Sequence, residues 1–128
     1  MAHARAVIGE TRYRVTLKAG HHELVADEHA EMGGKDVGPA PYELLLSALG
    51  ACTAITLKMY AERKQWPLTA VDVGLLFTRE GERGKIARML TLEGDLDEAQ
   101  RARLADIAER TPVTLTLKAG VEIHTELR

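Results

Sequence analysis

Cys52 is the only cysteine of the chain, and a thiol is both a strong nucleophile and a reversible redox group. One cysteine closes no disulfide within a chain, which excludes a disulfide-stapled secreted scaffold and fits a reducing, cytoplasmic compartment. Packing is the competing explanation, because a free cysteine is among the most often buried residue types and fills space as a small hydrophobe. For chemistry the sulfur needs company that favours its anionic form, a cation above all. Glu43 lies nine residues before it and Tyr60 eight after. Arg12 and Arg14, or an arginine of a second chain, are the candidate cations.

Other chemistries find less support. The five histidines, His3, His21, His22, His29 and His124, offer no i,i+4 helical pair and no Cys/His zinc spacing, so neither a metal nor another cofactor is expected and they read as surface residues. His21 and His22, adjacent on an expected strand, point to opposite faces and do not share a ligand. Ser47 sits in no Gly-x-Ser-x-Gly elbow. Glu93 and Asp95 flank a strand end, where acidic residues are normally solvated. A formal net charge of −2, from 17 basic and 19 acidic residues with both signs interspersed, gives no field that attracts nucleic acid or an anionic membrane, and neither partner is expected.

The elements that must position Cys52 follow from the hydrophobic pattern. Tyr13, Val15 and Leu17 alternate with polar residues, so residues 3 to 18 predict a hairpin turning near Gly9, and His21 to Asp27 returns as a third strand. Residues 28 to 40 hold Gly33, Gly34, Gly38 and Pro39; they predict a loop that can wall a site, without the spacing of a phosphate-binding loop. Pro41 or Tyr42 then opens a helix to about Lys64, with Glu43 at its positive end and Arg63 and Lys64 at its negative end. From Leu44 to Leu57 it carries fourteen residues without a charge, too short a run to cross a bilayer. A helix apolar on every side must be covered on every side, which predicts a homodimer in which it packs partly against its symmetry mate, with Ala48, Gly50, Ala51 and Ala54 permitting close approach. Mid-helix, Cys52 is far from its own helix's N-terminal dipole.

Val71 to Phe77 and Ile86 to Leu92 predict a second hairpin across Gly81–Gly84. Asp97 with Gln100 forms a capping-box pattern for a helix through Arg110, which Thr111-Pro112 breaks. Val113 to Lys118 suits either a helical turn or a strand, and Val121, Ile123 and Leu127 predict a closing strand. Hairpins with inserted helices indicate an α+β domain with largely antiparallel sheet. At 128 residues one domain covering the whole chain is expected, with a mainly aliphatic core.

The run Gly38-Pro39-Ala40-Pro41-Tyr42-Glu43-Leu44-Leu45-Leu46-Ser47-Ala48-Leu49-Gly50-Ala51-Cys52-Thr53 resembles the motif of the OsmC/Ohr superfamily, and Leu92 to Leu96 with the following helix and Thr111-Pro112-Val113 resembles its second half. The resemblance covers essentially the full length and lies nearest the OsmC-like branch. It implies largely antiparallel sheets packed on a long buried central helix, in an intertwined homodimer with two sites at the subunit interface. It further implies a peroxidatic cysteine, here Cys52, whose anion attacks the O–O bond of a small hydrophobic hydroperoxide, assisted by an Arg/Glu pair. Two departures stand out. The family's resolving cysteine, just before Pro-Val, is Thr111 here, so an external thiol or another chain must reduce the oxidised Cys52. The family's glutamate falls ten residues before the cysteine, at Tyr42; Glu43 is one residue closer, a rotation of about 100° on a helix. Arg12 lies near the hairpin where some members carry the arginine.

Two functions therefore compete. One is a one-cysteine thiol peroxidase acting on organic hydroperoxides through Cys52, Glu43 and Arg12. The other is a non-catalytic dimer of the same fold whose interface pocket binds a small molecule and whose cysteine only packs.

Overall fold

The computed structural model describes all residues from Met1 to Arg128 and divides into two compact units, Met1–Leu45 and Leu46–Arg128. The first is an antiparallel meander of β1 (Ala4–Ile8), β2 (Val15–Ala19) and β3 (His22–Ala26), in that spatial order. β1 pairs with β2 from Ala4 opposite Ala19 to Ile8 opposite Val15, and β2 with β3 from Val15 opposite Ala26 to Ala19 opposite His22. Gly20, at φ 61°, makes the tight turn between β2 and β3.

After β3 the chain folds around one carboxylate. Asp27 is buried, and its oxygens accept the backbone N–H groups of Glu28 at 2.7 Å and of Lys35 and Val37 at 3.2 Å each. A loop without a ladder still has to satisfy its buried donors, and here one side chain does so. A Cβ at Gly34 would run into the Glu28 carbonyl, so glycine is required there. Burial pushes the Asp27 carboxyl up, but the N–H groups of Glu28, Val37, Lys35 and Tyr13 outweigh it and hold the group below the usual aspartate range.

Helix α1 (Pro41–Lys64) begins in the first unit and continues through the second. Its buried residues, Leu49, Thr53, Leu57 and Ala61, recur every fourth position and form one stripe. Within a single chain the helix is therefore covered along one stripe and not on every side. Ile55 and Met59, 54% and 56% exposed, lie off that stripe. The length expectation is also corrected: by length and composition α1 is long and apolar enough to cross a membrane, a test that the core helix of a soluble protein passes as well.

The second unit adds the hairpin β4 (Leu68–Glu80) and β5 (Arg83–Gly94), then α2 (Glu98–Ala108) and α3 (Pro112–Ala119). Val71, Val73, Leu75 and Phe77 face the same side as their partners Leu92, Leu90, Arg88 and Ile86. Gly50 brings α1 close to β4, since a Cβ there would stand 2.8 Å from Leu75 Cδ1. The core gathers Leu57, Ala61, Leu68, Leu96, Leu104 and Ala108, with Tyr60 and Trp66 edge-on beside it. α2 starts at the expected capping box, Asp97 accepting Gln100 N–H at 2.8 Å and Gln100 accepting Asp97 N–H at 2.9 Å.

Two local expectations fail. Residues 121 to 128 form no strand: no ladder partner stands beside them, and Val121, Ile123 and Leu127 are exposed. His21 belongs to the turn before β3, where strand alternation does not operate, and its ring lies 4.1 Å from that of His22 rather than on the opposite face. Between Val113 and Lys118 helix prevails over strand, because Pro112 occupies the first turn and Thr111 caps it.

Candidate functional site

Cys52 is half-buried on α1, next to the deeply buried Thr53. Its sulfur lies 4.0 Å from Thr56 Oγ1, one turn on, and receives the backbone N–H of Val113 at 3.5 Å. Val113 stands in the first turn of α3, whose leading N–H groups have no carbonyl partner within the helix. The sulfur thus sits against the positive end of a helix, although not its own. Helix N-termini are places where anions are generally held.

Thr111 holds that helix start in place. It is fully buried at the N-cap, its Oγ1 accepts Thr114 N–H at 3.3 Å, and it shares a 2.7 Å hydrogen bond with Thr114 Oγ1. Thr114 Oγ1 donates to the Ala108 carbonyl at 3.3 Å. A hydroxyl has one proton, so with that one committed, Thr111 is the donor of the shared bond. On the other side, Thr53 Oγ1 donates to the Leu49 carbonyl at 2.7 Å. From β5, Arg88 Nη1 donates to the Thr53 and Thr114 hydroxyls, and its Nη2 donates to the Ala108 carbonyl at 2.9 Å and to Glu109 Oε2 at 3.2 Å. Lys118 first, and Arg88 after it, hold the Glu109 carboxyl below the usual glutamate range despite some burial.

Residues 33–126 match the sequence profile of the OsmC-like protein family. The chain belongs to that family. Among curated proteins none matches the sequence significantly. Solved structures give the same fold. An OsmC-like protein from Mycoplasma pneumoniae superposes with a TM-score of 0.79 at 20% identity, covering 92% of this chain and 87% of the other. An organic hydroperoxide resistance protein from Elizabethkingia anophelis gives 0.70 at 16% identity, with 95% and 91% covered. The organic hydroperoxide resistance protein OsmC of Legionella pneumophila, also described as a predicted redox protein, gives 0.68 at 18% identity, with 92% and 89% covered. At these identities the likeness shows the α+β OsmC-like fold.

The partners of the three expected site residues divide between the units. Those of Cys52, Val113 and Thr56, lie in the second unit of this OsmC-like chain. Those of Glu43 lie in the first: its Oε1 accepts Ala40 N–H at 2.9 Å, helping to cap α1, and its Oε2 lies 3.6 Å from His29 Nε2. His29 Nδ1 in turn lies 3.4 Å from Asp36 Oδ1. Arg12 is exposed, with its guanidinium carbon 5.8 Å from the Tyr13 ring centroid. Tyr60 accepts a 2.9 Å bond from Arg103 Nε, which holds the pKa of its phenol below the usual tyrosine range. No group of three or more His, Cys, Asp or Glu side chains is arranged to hold a metal ion.

Sequence reasoning missed Arg88 and the Val113 N–H. The first left a trace: in Ile86-Ala87-Arg88-Met89-Leu90 the alternation places an arginine at an inward position. The second left none, since a backbone donor brought across 61 residues has no side-chain identity to betray it.

Proposed function

We propose that this OsmC-like protein is a thiol peroxidase that reduces small hydrophobic hydroperoxides at Cys52 and is returned to the thiol by an external reductant. The observation that carries this reading is the Val113 N–H directed at Cys52 Sγ, 3.5 Å away, in a chain whose structural relatives include proteins named for organic hydroperoxide resistance. The anionic sulfur attacks the terminal peroxide oxygen and the O–O bond breaks. The leaving alkoxide takes up a proton and departs as the alcohol, while sulfur gains an oxygen and loses two electrons to become a sulfenic acid. One external thiol condenses with the sulfenic acid, releasing water and leaving a mixed disulfide. A second attacks that disulfide and frees Cys52, so two thiols become one disulfide for each hydroperoxide reduced.

Thr111, the N-cap of α3, offers no sulfur to resolve the sulfenic acid, which makes the external thiol necessary. Arg12 and Glu43 are the proposed charge partners of the reaction. A homodimer accounts for the uncovered flank of α1 at Ile55 and Met59, and the one-cysteine composition suits work in the cytoplasm as a single OsmC-like domain. The test is to mix reduced protein with cumene hydroperoxide and trap sulfenic acid for mass spectrometry. An adduct on Cys52, formed faster than on a free model thiol, is the expected result; no adduct, or one formed no faster, overturns the reading.

The other reading, a dimer that binds a small apolar molecule and uses Cys52 only for packing, draws on a 470 Å³ groove lined by Ala54, Ile55, Met59 and Val71 among others. An alkylation rate for Cys52 matching that of a buried, inert thiol would favour it.

A further inference from the structure

Arg88 occupies a register otherwise given to the core. Ile86, Leu90 and Leu92 share its face of β5, and Leu75 stands opposite it on β4. Its side chain is only 11% exposed. Taking a guanidinium out of water is unfavourable unless its donors are used, and for packing alone an apolar side chain would serve. The donors are used, and on particular atoms. Nη1 bonds Thr53 Oγ1 at 3.0 Å, one residue after Cys52 on α1, and Thr114 Oγ1 at 2.9 Å, one residue after Val113 on α3. Nη2 bonds the carbonyl of Ala108, the last residue of α2.

We infer that Arg88 is a positioning residue for Cys52: by tying Thr53 to Thr114 through one guanidinium nitrogen, it fixes the Val113 N–H against the sulfur. Its guanidinium reaches these atoms across 35, 26 and 20 residues of sequence, so folding and not chain connectivity brings it to them. The planar fork of arginine suits this task because its donors point in fixed directions; a lysine ammonium is a point charge that does not reproduce them. Its catalytic meaning rests on the peroxidase reading, whereas its geometric meaning does not.

The test uses the full chain, wild type and the variants Arg88→Met, Arg88→Lys and Thr114→Val. Three quantities are measured at one pH: the rate of sulfenic acid formation with cumene hydroperoxide, the rate of Cys52 alkylation by iodoacetamide, and the hydrogen-exchange protection of the Val113 amide by nuclear magnetic resonance. Both rates fall by about ten- to a hundredfold in Arg88→Met, the range that small misplacements near reacting atoms produce. Arg88→Lys recovers little of this, and Val113 protection drops in each variant. Thr114→Val removes one of these acceptors, along with that hydroxyl's bonds to Thr111 and the Ala108 carbonyl, and keeps the guanidinium; a fall in the same direction is expected, and Arg88→Lys decides the matter where Arg88→Met does not fold. Rates and Val113 protection unchanged in a folded variant, even one of lower Tm, overturn the inference, as does full recovery by Arg88→Lys. Absence of sulfenic acid in the wild type, with alkylation still slowed in the variants, removes the peroxidase reading and leaves the positioning role standing.

Discussion

The backbone N–H of Val113 meets the sulfur of Cys52 at 3.5 Å across two different helices. Cys52 lies mid-way along α1, where the helix's own N–H groups are occupied, so the dipole that favours an anion has to come from elsewhere. α3 supplies it, and Thr111 and Arg88 hold α3 at that place. Thr111 is thus a helix cap in this chain.

Thr111→Val removes the hydroxyl that caps α3. The Thr114 N–H then loses its acceptor in a buried place, which costs about 1–2 kcal/mol of unfolding free energy. Urea denaturation reads this loss, and Thr111→Ser recovers most of it. The rate of Cys52 with cumene hydroperoxide falls in Thr111→Val, because the first turn of α3 no longer holds Val113 in register.

Thr111→Cys restores a thiol two residues from the amide that touches Cys52 Sγ. One equivalent of hydroperoxide is expected to convert this variant to an intrachain disulfide. Mass spectrometry under non-reducing conditions reads it as a loss of two hydrogens with no free thiol remaining. The wild type, with its single cysteine, gives sulfenic acid and mixed disulfides instead.

Asp27→Asn tests the loop of the first unit. The amide keeps one acceptor oxygen and puts an NH2 in place of the other, so either Glu28 or the pair Lys35 and Val37 loses its acceptor; Tm falls by several degrees and amide exchange in this loop accelerates. The pH dependence has a fixed sign. The folded-state pKa of Asp27 is lowered, so its stabilisation is complete above the ordinary aspartate range and is lost as pH falls through the lowered value. In Asp27→Asn that part of the acid-induced loss is absent, as thermal unfolding at a series of acidic pH values will show.

Much of the fold was legible because local pattern and tertiary packing agree. The alternation around Val15 and Leu17, the uncharged run from Leu44 to Leu57 and the Asp97/Gln100 capping box each name their element. The last residues were misread because Val121, Ile123 and Leu127 alternate as a strand does, yet alternation needs a neighbouring edge and none stands there within one chain. At the site, Cys52 was legible from its type alone. The threonines beneath it were not, since a hydroxyl becomes informative only when folding places Thr53, Thr111 and Thr114 around one guanidinium and one cap.

Ile55→Glu tests the assembly. Ile55 and Met59 stand exposed on α1, one turn apart, on a helix whose buried stripe runs along a different side. Val7 and Ile8 of β1 are likewise half exposed. A second copy of the chain is expected to pack over such a group of exposed apolar side chains. The wild type is expected to elute, with light scattering detection, at twice the mass of the chain. A charge at residue 55 then has to be desolvated to enter that contact, an unfavourable step without a partner ion, so Ile55→Glu shifts the protein to single chains at low micromolar concentration. Cys52 sits three residues away on the same helix, so its rate with hydroperoxide in the separated chains reads whether the contact contributes to the site. Dimers that persist in Ile55→Glu would show that the contact uses another face.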